Sequence, residues 1–423
     1  MRRFWTTTVL MVIIAGALIL RFYAVEWGLP YVDHPDEPTT AKTVLEMLRR
    51  GDWNPRFFDK PSLYYYALRV IFEAHWRYGL ATGLYSDISQ LPLGTYFYIT
   101  TPGFFIWGRM LTALFGVATV ILVNAIGRRW WGAAVGLSAA SVLAVLPFHV
   151  RHSQFLTVDV LTGLMTALAL AAALRLLEDQ RWRAYALAGL LAGLAASTKY
   201  NAIAVALAVV LAHGLRLGRV SLYLFWRLPW MALWSAVGFF IATPYALMTP
   251  DVFLNDVLRQ YADYTVSGGD LYRRWPVAGY LNFFWSDGLL PLPCIAMLIG
   301  IVVIVRRRDR AGLVMLGFAL PYLLFVMAQR KHFFRNLMPI FPVLVLLAGI
   351  GIVATISYML DRVVQQRQAE SPSHVRLTPG TLFATGTLLL SAIVAIHPLI
   401  ETIALDQLFA QPHSKVQARD YVR

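Results

Sequence analysis

A short polar segment, residues 33–38, concentrates groups that could move protons or hold a cation. It has the sequence Asp-His-Pro-Asp-Glu-Pro and lies between an apolar run and a helical pattern over 39–50, which Gly51 ends. Asp and Pro are common where helices begin, but capping explains one acid, not three acids and a histidine. Carboxylates at the edge of hydrocarbon have a raised proton affinity, which suits a general base. The spacing therefore favours a functional role.

Other charged residues stand beside apolar runs. Asp159 lies where one such run begins, so it could complement the helix dipole or serve a site. Lys60 precedes a proline, and Arg335 opens an apolar run, which is unfavourable unless its charge is paired. A phosphate at the membrane edge is a natural partner for such cations. Lys199 and Lys331 are similarly placed, although pairing with an acid or contact with lipid headgroups would also explain them.

The composition describes the elements that must position these side chains. The chain has 423 residues, of which 58% are hydrophobic and 14% charged, against about 25% charged in soluble proteins. Mean hydropathy is +0.58. This excludes a soluble globular domain, a coiled coil and a disordered chain. The single cysteine, Cys294, excludes an intramolecular disulfide and a paired-cysteine metal site.

The apolar runs predict an all-α polytopic membrane protein. A helix needs about 20 apolar residues to cross a bilayer, somewhat fewer when neighbours shield its ends, and about eleven runs qualify. They cover 5–24, 110–126, 132–148, 160–177, 184–198, 201–215, 228–248, 288–305, 311–328, 337–359 and 378–400.

The distribution of arginine predicts the orientation. Placing Arg2 and Arg3 in the cytoplasm makes the alternate short loops the more densely basic ones, as the positive-inside rule requires. The net charge of +14 therefore needs no nucleic-acid partner. The odd number of spans places the C-terminus outside. Residues 401–423 would form an outer segment, possible as the start of a further soluble domain.

Two predicted outer loops, 25–109 and 249–287, are longer than a connection requires, and such loops are usually functional. Within the first, Arg69, Glu73 and Arg77 recur every four residues, which suits an interfacial helix over 61–83 in which Glu73 pairs with either neighbour. The second is rich in aromatic residues that could form an interfacial belt or line a sugar site: Tyr261, Tyr264, Tyr272, Trp275, Tyr280 and Trp285.

Taken in order, these motifs resemble a known superfamily of membrane enzymes. The landmarks are the acidic pair Asp36-Glu37, GDWNPRFFDKPSLYYY over 51–66, RHSQFLTVD ending at Asp159, STKY ending at Tyr200, and RNLMPIFP over 335–342. The chain is similar up to about residue 360 to the protein O-mannosyltransferase and aminoarabinose transferase superfamily. These are integral-membrane GT-C glycosyltransferases that use polyprenyl-phosphate sugars.

The resemblance implies a catalytic module over 1–400 that transfers a sugar to an acceptor hydroxyl at the outer face, with inversion. It implies Asp36 as the catalytic carboxylate, with Glu37 beside it and Asp159 shaping the same site. It places Lys60 near the donor phosphate, although Pro61-Ser62 and Asp59 depart from the usual residues. The expected acceptors are proteins, glycolipids and polysaccharides. The expected location is a bacterial inner membrane.

Two further expectations concern the same residues. His34, Asp36 and Asp159 form a candidate set for a divalent cation such as Mg, Mn or Zn, although their spacing matches no strong motif. Arg335, Lys199 and Lys331 join Lys60 as candidate phosphate ligands. The rival interpretations are a polyprenyl-lipid or solute transporter with a proton relay, and a noncatalytic membrane scaffold.

Overall fold

Helices account for most of the backbone that the structure describes. The computed structural model describes residues 2–91, 93–94, 97–217, 226–265, 276–370 and 379–422. The first helices in chain order are α1 (Arg2–Tyr23), α2 (Asp36–Arg50), α3 (Leu63–Ala81), α4 (Phe97–Thr100), α5 (Pro102–Trp131), α6 (Ala133–Val145), α7 (Pro147–Ser153), α8 (Asp159–Arg175) and α9 (Trp182–Ala196). They are followed by α10 (Ala206–Leu217), α11 (Arg227–Ala242), α12 (Tyr245–Met248), α13 (Pro250–Thr265), α14 (Pro276–Phe283), α15 (Pro291–Arg307), α16 (Arg310–Ala328), α17 (Phe341–Glu370), α18 (Pro379–Phe409) and α19 (Ser414–Val422).

The membrane-protein class is confirmed, but the count of eleven spans is not. Among the described residues, five helical stretches are long and apolar enough to cross a bilayer, or seven if two bent helix pairs each count as one span. The difference arises because the other four predicted runs form helices of fewer than 18 residues, namely α8, α9, α10 and α11. For example, the predicted run 201–215 begins with a 3₁₀ helix over Tyr200–Val205 and then continues as α10.

The centre of the bundle is α17, whose first half is almost wholly buried. Its closest neighbour is α15, and the two backbones approach through a reciprocal pair of glycines. A Cβ on Gly300 would lie 1.9 Å from the carbonyl oxygen of Leu347, and one on Gly351 would lie 1.9 Å from that of Ala296. Such small residues allow close helix packing where no water-driven force is available.

A proline breaks the predicted span 132–148. The helices α6 and α7 meet at an angle of 64° at Pro147, which frees backbone carbonyls at the end of α6. The guanidinium of Arg21, fully buried near the end of α1, donates to the carbonyl oxygens of Leu143 at 3.1 Å and Ala144 at 2.9 Å. It also contacts His149 Nδ1 at 2.9 Å. Arg21 thus satisfies the broken end of α6 and ties α1 to it.

The helix predicted over 61–83 is present as α3. Glu73 accepts hydrogen bonds from both Arg69, at 2.5 Å, and Arg77, at 2.6 Å. The opposite face buries Leu68 and Phe72, with the Phe72 ring 5.1 Å from that of Phe104 on α5. Its interfacial position stays a prediction. In the loop 249–287, residues 266–275, which include Tyr272 and Trp275, lie outside the described residues.

Candidate active site

One end of the bundle holds a cavity of about 950 Å³. Its charged walls bring together six of the eight site residues predicted from the sequence, all except Glu37 and His34. The lining includes Asp36, Lys60, Asp159, Lys199, Lys331 and Arg335. Segments far apart in the chain, from α2 to the start of α17, therefore meet at one concave surface.

Asp36 forms ion pairs with two cations through a single carboxylate oxygen. Its Oδ2 atom lies 3.1 Å from Lys60 Nζ and 3.2 Å from an Arg335 guanidinium nitrogen. The side chains of Asp36 and Lys60 are each 23% exposed, so the cluster is accessible from the cavity. Burial opposes ionisation of Asp36, but Lys60 and then Arg335 outweigh it and hold its pKa below the usual range. The raised proton affinity expected from desolvation alone is therefore wrong for this carboxylate.

Asp159 anchors a second polar chain across the cavity. Its Oδ1 atom accepts a hydrogen bond from Lys199 Nζ at 2.8 Å, and the same ammonium donates to Asn336 Oδ1 at 2.6 Å. Asp159 is almost completely buried, whereas Lys199 is 16% exposed. Asp159 lies in the first turn of α8, where it complements the helix dipole, and its ion pair with Lys199 also places it in the site, so both roles that the sequence left open apply.

The charged residues share a position at the beginnings of helical elements. Asp36 and Asp159 are the first residues of α2 and α8. Lys199 immediately precedes the 3₁₀ helix Tyr200–Val205, and Arg335 is the second residue of the 3₁₀ helix Phe334–Ile340. Helix beginnings carry partial positive charge and unsatisfied N–H groups, which favour anions. Together with the side-chain cations, they make the cavity suitable for a phosphate.

Glu37 lies outside this cavity. Its carboxylate is fully buried and forms a two-point ion pair with Arg109, with nitrogen–oxygen distances of 2.8 and 2.6 Å. Glu37 also accepts a hydrogen bond from the backbone of Leu156 at 2.6 Å. Arg109 in turn donates to the carbonyl oxygens of Val25 and Trp27 at 2.8 and 2.7 Å. These contacts suit a residue that holds α2, α5 and the first loop together, not one that meets a substrate.

The predicted metal set is not assembled. No group of three His, Cys, Asp or Glu side chains able to hold a metal ion occurs within the part of the chain that the structure describes. Asp36 and Asp159 instead face cations, and His34 Nδ1 accepts the backbone N–H of Asp36 at 3.2 Å. Burial lowers the pKa of His34. One potential ligand atom of each of these three side chains is engaged by a protein group, and the three do not converge on a common point able to hold a metal ion.

The amphipathic helix α13 covers one side of the cavity. Tyr261 and Tyr264 line it, and Asp263 pairs with Lys331 at 3.4 Å. Lys331 therefore has an acid partner. Pairing with an acid and contact with lipid headgroups were the two explanations that the sequence left open besides phosphate binding. Trp285 is half-exposed, whereas Tyr280 is buried.

Several contacts that support the cavity wall were not predicted from the sequence. Asp256 on α13 accepts the backbone N–H of Phe58 at 2.7 Å, and Arg259 donates to Asp59 at 2.5 Å. Tyr200 donates to the carbonyl oxygen of Phe58 at 2.7 Å. These contacts fix the loop that presents Lys60. Of the residues that the sequence analysis missed, only Arg109 could have been recognised in advance, because it is an isolated charge at the start of an apolar run.

Comparisons with known proteins agree with this architecture. Residues 102–250 match the sequence profile of the dolichyl-phosphate-mannose-protein mannosyltransferase family. No curated protein sequence matches the chain significantly.

Solved structures share the fold at low identity. ArnT from Cupriavidus metallidurans bound to undecaprenyl phosphate is similar with a TM-score of 0.60 and 18% identity, over 94% of this chain and 72% of that one. The archaeal oligosaccharyltransferase AglB from Archaeoglobus fulgidus, in complex with an inhibitory peptide and a dolichol-phosphate, is similar with a TM-score of 0.57 and 12% identity. That match covers 98% of this chain and 57% of the other. The resemblance is therefore confirmed, and the chain is an integral membrane protein with the GT-C fold.

Proposed function

We propose that the protein is a glycosyltransferase that moves a sugar from a polyprenyl-phosphate donor to an acceptor hydroxyl. The observation that carries the proposal is the shared cavity in which Asp36 and Asp159 face Lys60, Lys199 and Arg335. A carboxylate and a set of cations are the two groups that such a transfer requires. The similarity to proteins solved with undecaprenyl phosphate and dolichol-phosphate supports a lipid-linked donor.

The ion pairs of Asp36 suggest how binding of the donor is coupled to activation of the acceptor hydroxyl. A donor phosphate brings negative charge and competes for Lys60 and Arg335, which hold Asp36 in the structure described above. Once those cations turn to the phosphate, the Asp36 carboxylate is free to accept a hydrogen bond from the acceptor hydroxyl. Donor binding would thereby raise the pKa of Asp36 and convert it into a better general base.

The transfer itself is a single displacement. The acceptor oxygen attacks the anomeric carbon, its proton passes to Asp36, and the bond to the phosphate oxygen breaks with its electron pair. Lys60 and Arg335 stabilise the charge that grows on the leaving lipid phosphate. Asp159 holds Lys199 against Asn336, so that this third cation faces the same cavity. Displacement from the opposite face inverts the anomeric carbon.

The proposed location is a bacterial inner membrane, with the cytoplasmic N-terminus and the outer-facing cavity that the distribution of arginine predicts. The donor's isoprenoid tail would stay in the bilayer beside the 3₁₀ helix Tyr200–Val205 and α16, since Ile203 and Phe325 form apolar parts of the cavity wall. The acceptor would approach from the aqueous side. Proteins, glycolipids and polysaccharides carry suitable hydroxyls.

A transport function is the second candidate. The site charges collect at helix beginnings at one end of the bundle, whereas a proton relay for transport requires ionisable groups across its depth. The purified protein, reconstituted in liposomes, would be given radiolabelled polyprenyl-phosphate sugars and a mixture of acceptors. We expect sugar release or transfer by the wild type and by Glu46→Gln, a surface acid on α2, but not by Asp36→Asn or Asp159→Asn. Transfer that survives both substitutions, or intact donor crossing the bilayer without transfer, would overturn the proposal.

A further inference from the structure

The C-terminal arm, defined here as residues 406–422, packs against the loop that leads to Asp36. At its start, Asp406 on α18 accepts a hydrogen bond from Gln154 Nε2 at 2.7 Å. One turn later, the Phe409 ring lies 4.8 Å from that of Trp27, and Arg151 lies 4.9 Å above the Phe409 ring. The arm is thus seated by a buried hydrogen bond and by aromatic contacts.

Beyond this seat, two side chains of the arm hold Asp33. Lys415 Nζ lies 2.5 Å from Asp33 Oδ1, and His413 Nε2 contacts Oδ2. The backbone N–H of Lys415 points at His413 Nδ1, 3.2 Å away, so Nδ1 acts as an acceptor and Nε2 carries the proton. The Asp33 carboxylate is therefore held by a hydrogen bond from Lys415 at Oδ1, with the His413 ring packed against Oδ2.

The held residue is close to the candidate base. Asp33 precedes Asp36 by three positions, and His34 between them accepts the N–H of Asp36. The His34 ring packs 4.7 Å from that of Phe155, which in turn lies 5.6 Å from Trp27. The arm and the segment leading into α2 are therefore connected through contacts on both sides of His34.

The loop between α1 and α2 has few other restraints on the side that faces the C-terminal arm. Between the end of α1 and the start of α2 it consists of turns, with no regular helix or strand over residues 24–35. The Glu37–Arg109 pair fixes the far side of the α2 start from within the bundle. Asp33 fixes the near side from the arm. Asp33 is 21% exposed and Lys415 is 55% exposed, so their ion pair is partly solvated and its contribution is modest.

We propose that His413 and Lys415 are positioning residues for the candidate site: by clamping Asp33 they fix the start of α2 and hence the direction of the Asp36 carboxylate. The activity part of this inference rests on the proposed glycosyl transfer. The positional part does not, because it concerns the loop itself.

The positional part is tested by hydrogen–deuterium exchange on the full chain in lipid nanodiscs. We expect Lys415→Ala and His413→Ala to increase exchange over residues 29–34 and in the first turn of α2. Gln417→Ala is the matched control, because its side chain bonds to Pro412 within the arm and does not reach the loop. Increased exchange confined to the arm itself would overturn the inference, whether or not the protein transfers sugar.

The catalytic part is tested by steady-state kinetics. A displaced Asp36 should lower kcat by about threefold in either single variant and about tenfold in the double variant, with little change in the donor KM. Lys415→Arg should restore kcat because it keeps the charge near Asp33, and Asp33→Asn should add nothing to the double variant. Unchanged kcat with increased loop exchange would overturn the positioning role, whereas an inactive wild type would count against the proposed function alone.

Discussion

Asp36 and Glu37 are adjacent in sequence, yet they occupy contrasting environments. The Asp36 side chain is 23% exposed and faces two cations across an open cavity, whereas Glu37 is inaccessible and gripped by one arginine at two points. Successive residues point about 100° apart around a helix, so the first turn of α2 can send one acid to the cavity and the next into the bundle. Two adjacent carboxylates can therefore have different roles, Asp36 in the chemistry of the cavity and Glu37 in holding the helices together.

The largest expected effect tests the cavity side of this comparison. Asp36→Asn should lower kcat for sugar transfer by about 10²- to 10⁴-fold, because an amide cannot accept the acceptor proton. Radiolabel transfer measures the loss, and the thermal unfolding midpoint establishes that the variant is folded. An Asp36→Asn protein with more than a tenth of wild-type kcat would remove Asp36 from the role of base.

The structural role of Glu37 in the interior is tested by measuring the stability of the protein. Glu37→Gln should destabilise the protein by about 3–5 kcal/mol, because Arg109 is left as a buried charge without a counterion. The free energy of unfolding of the detergent-solubilised protein measures this effect. Glu73→Gln on α3 serves as a control, since its partially exposed pairs should contribute about 0.5 kcal/mol or less. Equal losses in the two variants would contradict the assigned difference.

The cations of the cavity should act on donor binding. Lys60→Ala and Arg335→Ala should each weaken the binding of undecaprenyl phosphate by about 10- to 100-fold, because each removes a charge-assisted hydrogen bond to the phosphate. Titration in nanodiscs measures the dissociation constants. Lys42→Ala, an exposed cation on the same helix as Asp36, should bind like the wild type. A similar loss in Lys42→Ala would indicate general attraction of charge instead of a defined site.

The smallest effect is a shift in pH dependence. Lys60 and Arg335 hold the pKa of Asp36 low in the free protein, so the acidic limb of kcat/KM should lie below the ordinary Asp range. In the donor complex those cations face the phosphate, so the acidic limb of kcat should lie at higher pH. Lys60→Ala raises the pKa of Asp36 in the free protein and should bring the two limbs closer. Coincident limbs in the wild type would argue against release of Asp36 by the donor.

The sequence predicted the helical membrane class because backbone groups in hydrocarbon must be satisfied internally, which leaves long apolar runs few alternatives. It also identified six charged residues of the cavity, since uncompensated charges beside apolar runs need a partner. It did not predict which of Asp36 and Glu37 would face the cavity. That choice depends on the rotation of α2, which Arg109 fixes from a distant helix.

The pairing pattern was also beyond the sequence. Lys199 and Asp159 were both recognised, but their contact with Asn336 requires the packing of α8 against the 3₁₀ helix that precedes α17. The metal set is not assembled because tertiary contacts turn Asp36 and Asp159 towards cations, while His34 accepts the backbone N–H of Asp36. The docking of the C-terminal arm on Asp33 joins two ends of the chain, a relation that periodicity does not encode.

The placement of site charges at the beginnings of helical elements has a consequence for how such a protein can diversify. In the proposed reaction only the tips of these elements would touch the substrates, and the packed helix bodies behind them would remain the same. Insertions or exchanges in the connecting loops can then reshape acceptor preference without disturbing the glycine-mediated contact of α15 with α17. New sugar and acceptor combinations would thus be reachable by small steps on a constant framework.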